Sequence, residues 1–140
     1  FQVFGTEWLD ERILTCIESE EYPYDSFSKI DFRYSQAVAS IKVGQGVKSE
    51  GELVISGTKG YIYVPAPWWK TEYFEVRFEQ PENNRRYYFQ LDGEGIRYEL
   101  VAFVRAIELG TSLTNVDEKI SCAISRIMDK FMSGNVYKIS

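Results

Sequence analysis

The residues best suited to chemistry in this sequence form one aromatic and cationic segment. Two tryptophans and a lysine follow two prolines in Pro65-Ala66-Pro67-Trp68-Trp69-Lys70. Rigid indole rings make flat apolar walls for ligands, and a lysine ammonium can contact an anionic group. The same rings could instead pack under the loop as a satellite hydrophobic cluster, with Lys70 solvated. The segment is therefore a candidate ligand wall with a structural alternative.

A second candidate is the stretch Gly93-Glu94-Gly95-Ile96-Arg97-Tyr98-Glu99. It looks like a dinucleotide fingerprint, but a tyrosine stands at the third glycine position, and the preceding strands are expected to be antiparallel. Its two glycines suit a tight passage from a strand into a helix. We therefore predict no nucleotide site here and interpret Tyr98 and Glu99 as structural.

Several classes of catalytic site lack the residues that they need. The sequence contains no histidine, and its two cysteines, Cys16 and Cys122, are far apart and have no partner at a metal or redox spacing. Histidine-dependent nucleophile pairs and most zinc sites are thereby excluded. No spacing singles out a pair of carboxylates for glycoside hydrolysis. We predict no catalytic residue and no metal site in this chain.

The distribution of charge bears on partners and location. The net charge is -5, and residues 1–31 contain eight acidic side chains against two basic ones. Because no basic stripe is present, nucleic-acid binding is not expected. No apolar run approaches the length of a membrane span, so no membrane is expected either. Two cysteines interpreted as reduced and the lack of a glycosylation sequon predict a cytoplasmic location.

The elements that must position these residues can be read from periodicity. Between Arg12 and Leu91 apolar residues alternate with polar ones, which predicts about seven short, mostly antiparallel strands. The turn Gly57-Thr58-Lys59-Gly60 is expected to close one strand and open the next, with its glycines at positive φ. The predicted fold class is α+β, with one open sheet.

The periodicity changes to that of a helix after Gly95. Ile96, Leu100, Phe103, Val104 and Ile107 form one apolar stripe, and Gly110 is placed to end the helix in a left-handed cap. A second helix is predicted after Thr114-x-x-Asp117, with an apolar face from Ile120 to Phe131. Both helices are expected to cover one face of the sheet.

The other face of the predicted sheet carries aromatic residues. Its outward positions, depending on register, are Tyr61, Tyr63, Tyr87 and Phe89. Such a face is too apolar to be only a solvent surface, so it predicts association with another copy of the chain.

These motifs, read in order, resemble one family. They are Phe4 to Glu7, the strands around Tyr34 and Ala37 to Ile41, Gly51 to Ile62, Pro65 to Trp69, and Gly93-x-Gly95-x-x-Tyr98-Glu99 with Phe103. The order resembles the C-terminal domain of the glucose-fructose oxidoreductase, inositol dehydrogenase and MocA oxidoreductases. It is most similar to the branch of dihydrodiol dehydrogenase and sugar dehydrogenases.

The resemblance implies a single C-terminal domain, residues 1–140, with a fold like the C-terminal domain of glyceraldehyde-3-phosphate dehydrogenase. It further implies NAD or NADP in the parent protein, bound by a Rossmann domain upstream of Phe1, and none bound here. This domain would supply the wall for a small-molecule substrate, with Trp69 facing the substrate beside Trp68 and Lys70, and a sheet contact for a homo-oligomer. The alternative is a stand-alone antiparallel-sheet binding module for a carbohydrate or a protein.

Overall fold

In its described residues, the protein is an α+β chain with eight strands and two α-helices. The computed structural model describes residues 1–19, 21, 24–93, 95–111 and 117–139. The strands are β1 (Asp10–Glu18), β2 (Tyr24–Arg33), β3 (Val38–Gly44), β4 (Leu53–Ser56), β5 (Gly60–Val64), β6 (Tyr73–Phe78), β7 (Arg85–Tyr88) and β8 (Tyr137–Ile139). The helices are α1 (Ile96–Leu109) and α2 (Glu118–Met132).

The strands form two sheets of four, so the predicted single sheet of seven strands is wrong. The first sheet has the order β3-β2-β1-β8 and the second has the order β4-β5-β6-β7. All pairs are antiparallel except β1 with β8. Alternation located seven strands between Arg12 and Leu91, but it cannot tell which strands become neighbours. It missed β8, whose three residues are too few to show a period.

The chain divides into two compact units. The first contains Phe1–Lys48 and Thr114–Ser140, and therefore holds the first sheet and α2. The second contains Ser49–Leu113, with the second sheet and α1. Among the predicted motif residues, Glu94 and Thr114 lie outside the described residues.

The hydrophobic core of the first unit lies between its sheet and α2. Ile13, Phe32 and Ile127 are buried together, as alternation in β1 and β2 and the helical stripe of α2 predict. The α2 stripe is covered only in part, because Ile124 and Met128 remain exposed. Asp117 caps the start of α2, because its carboxylate accepts a hydrogen bond from the Ile120 N–H at 2.9 Å.

Trp8 packs the N-terminal segment against this unit. Its ring stacks on Phe1 at 5.4 Å and meets the edge of Phe32 at the same distance. The guanidinium of Arg126, on α2, lies 3.8 Å from the centre of the Trp8 ring. Such a contact adds cation–π attraction to the burial of the ring. Trp8 is therefore part of the scaffold.

Helix α1 has the predicted ends but not the predicted packing. Gly110 adopts a left-handed conformation with φ 62°, and the Thr111 N–H reaches back to the carbonyl of Ala106. The stripe from Ile96 to Ile107, however, is half or more exposed at all five positions. The amphipathic pattern predicted the helix correctly, but such a pattern does not determine which element the apolar stripe packs against. Neither helix in the described part of the chain has the length and apolarity that a membrane crossing demands.

Candidate substrate-binding site

The hairpin that precedes the tryptophan segment is tightly closed. The Gly57 N–H donates to the Gly60 carbonyl at 2.8 Å, which joins β4 to β5 through Thr58 and Lys59. Neither glycine has positive φ, so that part of the prediction is wrong. Gly60 is needed for another reason: a Cβ there would overlap the carbonyl oxygen of Arg77 on the adjacent strand.

The segment Pro65 to Lys70 leaves the end of β5 and leads toward β6. The Trp68 and Trp69 rings are perpendicular, with centres 6.0 Å apart. Residue exposure is 50% for Trp68 and 60% for Trp69, so both rings present surface to solvent. Lys70 is exposed beside them. The structure therefore places the three predicted site residues side by side at the surface, with each indole partly exposed and partly packed.

Backbone contacts hold this segment in place. The Trp68 N–H donates to the Gly51 carbonyl at 2.7 Å, and the Lys70 N–H donates to the Pro67 carbonyl at 2.9 Å. A Cβ at Gly51 would lie 3.1 Å from Cζ3 of Trp69, closer than ordinary van der Waals contact. Gly51 thus lets the indole lie against the backbone that leads into β4. The rings stand on an anchored turn, which reduces the ordering needed when a ligand binds.

The turn at Gly93 and Gly95 serves the start of α1. Both glycines have positive φ, 79° and 94°, as predicted. The Tyr98 hydroxyl accepts a hydrogen bond from the Asp92 N–H at 3.0 Å, and Arg97 pairs with the Asp92 carboxylate at 2.6 Å. These contacts support the interpretation of Tyr98 as structural. The strand before this turn, β7, is antiparallel to β6, so the parallel strand of a dinucleotide fold is not present here.

Sequence reasoning missed a charged and aromatic network on one face of the second sheet. The Glu75 carboxylate accepts from the guanidinium groups of Arg77 and Arg86. Arg77 lies over the Tyr63 ring at 4.3 Å, and Arg86 lies over the Tyr73 ring at 4.7 Å. Cross-strand register explains the grouping, because Glu75 is opposite both Tyr63 and Arg86. The two arginine hydrogen bonds lower the pKa of Glu75 below its ordinary value.

The opposite face of that sheet is apolar. Phe74 stacks on Tyr87 at 5.1 Å and on Phe89 at 5.8 Å. The register therefore separates the four aromatic positions that were predicted to lie outward together. Tyr61 and Tyr63 lie on the face of Glu75, whereas Tyr87 and Phe89 lie on the face of Phe74.

The remaining chemistry of the described residues is limited. No group of three or more His, Cys, Asp or Glu side chains within residues 1–19, 21, 24–93, 95–111 and 117–139 is arranged to hold a metal ion. Cys16 and Cys122 are both free thiols. The chain matches no known family model, and no curated protein is significantly similar to it. What the site offers is an anchored, exposed pair of indoles with an adjacent cation.

Proposed function

We propose that this chain is the C-terminal substrate-binding and oligomerisation domain of an NAD(P)-dependent oxidoreductase. Its substrate would be a sugar, a nucleotide sugar, a polyol or a related hydroxyl or carbonyl compound. The observation that carries the proposal is the exposed Trp68–Trp69 pair on its anchored turn. Apolar C–H faces of sugar rings and polyols pack on indole, and Lys70 offers a contact for an anionic substituent.

The order of the motifs supports the family part of the proposal. The glycine turn at Gly57–Gly60, the tryptophan segment and the Gly93 turn each have the local role that the residue pattern predicts. The first joins two strands, the second follows β5, and the third opens a helix. Local agreement at three separate motifs is more specific than any one of them.

The cofactor of the proposed parent enzyme would be NAD or NADP, which would supply or accept the hydride. The start of α1 is poorly suited to bind its pyrophosphate, because α1 follows an antiparallel strand and its first turn carries Glu99. The dinucleotide would therefore bind to a different domain. The role of this chain would be to bind and orient the substrate.

The proposal includes a homo-oligomer and a cytoplasmic location. For the oligomer we favour the apolar face of the second sheet, because its stacked Phe74, Tyr87 and Phe89 rings are unsuited to solvent. The Glu75 face is less suited, since its charges already satisfy one another. Two free thiols fit a reducing compartment.

A second candidate is a stand-alone sheet module that binds a carbohydrate or a protein. The aromatic faces of the second sheet favour it, because flat arrays of tyrosine and phenylalanine are common contact surfaces. It needs no dinucleotide and no second domain.

Tryptophan fluorescence tests the proposed wall. The Trp8→Phe variant removes the scaffold indole, so that emission reports on Trp68 and Trp69 alone. Titration with a panel of sugars, nucleotide sugars and polyols is expected to give a saturable change for one class of ligand. Trp69→Ala should abolish that change, and Lys70→Ala should weaken binding of the anionic members only.

The matched control is Lys59→Ala, a lysine in the neighbouring β4–β5 turn. It should leave the titration unchanged. A panel without any saturable response would remove the support for a substrate wall, and an equal loss in the Lys59 variant would show that the effect is not local to the tryptophans.

A further inference from the structure

The outer edge of β3 is a mostly apolar strand edge that carries a single charged residue. Among the strands that the structure describes, β3 pairs only with β2, and it ends the first sheet. It is seven residues long and contains no proline and one charged side chain, Lys42. Val38, Ile41 and Val43 are each more than half exposed. Edges of this kind pair readily with another strand, because their backbone N–H and C=O groups are available.

We propose that β3 pairs antiparallel with β3 of a second copy of this chain. The two four-stranded sheets would then form one sheet of eight strands across a two-fold axis. This contact uses the first unit only. It does not depend on the tryptophan wall or on the Phe74 face of the second sheet.

The residues of β3 select one register. Centring the axis on Ile41, the middle of the strand, overlaps the whole of Val38–Gly44. Ile41 then faces its own copy, Ala39 faces Val43, and Ser40 faces Lys42. Centring the axis on Lys42 would place two like charges directly opposite each other, which is unfavourable. Centring it on Ser40 would shorten the overlap and place Val38 against Lys42.

The same register continues the hydrophobic layer of the first unit. Ile41 is opposite Ile30 in β2, and Ala39 is opposite Phe32, so both lie on the face that carries the core. Pairing the two edges would cover Ile41 with its own copy and Val43 with Ala39 of the second copy on that face. On the core face of a second copy, therefore, only apolar residues of β3 oppose one another, and on the other face Ser40 opposes Lys42.

Sedimentation of the intact chain at micromolar concentration tests the association. Because the Phe74 face is proposed to associate as well, the measurement is made in a Phe89→Glu background. There we expect a species of twice the chain mass, and Ile41→Lys should weaken its formation by more than about tenfold, because two added charges would face each other. The control is Val54→Lys, on edge strand β4 of the second sheet. Val54 is 48% exposed and Ile41 is 53% exposed, so the two changes are matched in chemistry and exposure.

Cysteine cross-linking in a Cys16→Ser, Cys122→Ser background tests the register. Directly opposed residues in antiparallel strands have Cα atoms roughly 4.5 to 5.5 Å apart, within the range of a disulfide. Ile41→Cys should therefore cross-link two copies under mild oxidation. Ser40→Cys should not, because its own copy would be a diagonal neighbour about 7–8 Å away.

The outcomes for β3 pairing can be distinguished from the outcomes for the proposed substrate binding. A monomeric chain, or a dimer indifferent to Ile41→Lys, would overturn the edge pairing whatever the tryptophan titration shows. Cross-linking through Ser40→Cys in preference to Ile41→Cys would overturn the register. If Ile41→Lys fails to fold, the two cysteine variants still decide.

Discussion

Glu75 shows how a single carboxylate orders one face of the second sheet. It lies at the centre of that face, with Arg77 on its own strand and Arg86 on the adjacent one. Each guanidinium also covers a tyrosine ring. Replacing the carboxylate would leave both arginines without their shared anion while the rings stayed in place. The role of Glu75 is thus to hold β6 and β7 in register.

The lowered pKa of Glu75 predicts a pH dependence of stability. A carboxyl whose pKa is lower in the folded chain contributes stability above its unfolded pKa, and that contribution is lost as the pH falls through the folded value. Glu75→Gln should therefore be less stable than the wild type at neutral pH. The difference should shrink as the pH falls toward about 2. Urea unfolding midpoints across this range measure it.

The control for this prediction is Glu79→Gln, just beyond the end of β6. Glu79 is exposed, and its replacement should leave the acid limb of the stability curve unchanged. A Glu75 variant whose curve runs parallel to the wild type throughout would refute the assigned role.

The close approach of Gly60 to the Arg77 carbonyl gives a second prediction for a single residue. Because a Cβ there would overlap the Arg77 carbonyl oxygen, Gly60→Ala must push β5 away from β6. We expect a loss of about 2 kcal/mol in the free energy of unfolding, measured by urea denaturation. Lys59→Ala, in the same turn, should change it by less than about 0.5 kcal/mol. Equal effects of the two substitutions would show that the glycine is not required by the close approach.

At the scale of elements, the two helices differ in how they use their apolar faces. Helix α2 buries Ala123 and Ile127, and Ile127 packs with Ile13 and Phe32 of the first sheet, whereas the α1 stripe remains exposed. Both stripes have helical period in the sequence. The two helices therefore differ in their packing partners, and the helical period of a sequence does not predict a packing partner.

Substitutions of two isoleucines in α2 test which face of the helix packs in the core. Ile127 is 9% exposed in the core, and Ile124 is 46% exposed on the same helix. Ile127→Ala should lower the free energy of unfolding by about 3 kcal/mol, because it removes buried methylenes and leaves a cavity. Ile124→Ala should cost about 1 kcal/mol or less. Chemical denaturation compares them, and similar losses would contradict the observed orientation of α2.

Local features of this fold could be predicted from the sequence, whereas the pairing of its elements could not. Period and capping chemistry located seven strands, both helices and the left-handed end of α1 at Gly110. These depend on neighbours in the chain. The division into two sheets depends on contacts between distant strands. The Glu75 network was missed for the same reason, since it becomes visible only when β5, β6 and β7 are aligned.

The candidate site shows the same limit. The prolines and paired indoles marked Pro65 to Lys70 as unusual, and the structure places them at the surface. The contact that anchors them, from Trp68 to Gly51, joins residues on opposite sides of the β4–β5 hairpin. Gly51 could have been singled out only once that hairpin was known to bring the two segments together.

For the whole molecule, substitutions at the neighbouring residues Tyr88 and Phe89 can show which face of the second sheet forms the proposed oligomer. Phe89 is 62% exposed beside Phe74, and Tyr88 is 69% exposed on the opposite face of the second sheet. If copies associate through the Phe74 face, Phe89→Glu should weaken association by about tenfold or more, because it would bury a charge. Tyr88→Glu should leave association unchanged. Sedimentation of both variants decides, and the reverse order of effects would exclude this face.

In the proposed parent enzyme, this chain would bind the substrate and another domain would bind the dinucleotide. Calorimetric titration of the chain with the sugar and polyol panel, and with NADH and NADPH, tests both halves in one measurement. We expect heat from one class of sugar or polyol, lost in Trp69→Ala, and no micromolar binding of either dinucleotide. Micromolar binding of NADH or NADPH by this chain, or the absence of any ligand that depends on Trp69, would contradict it.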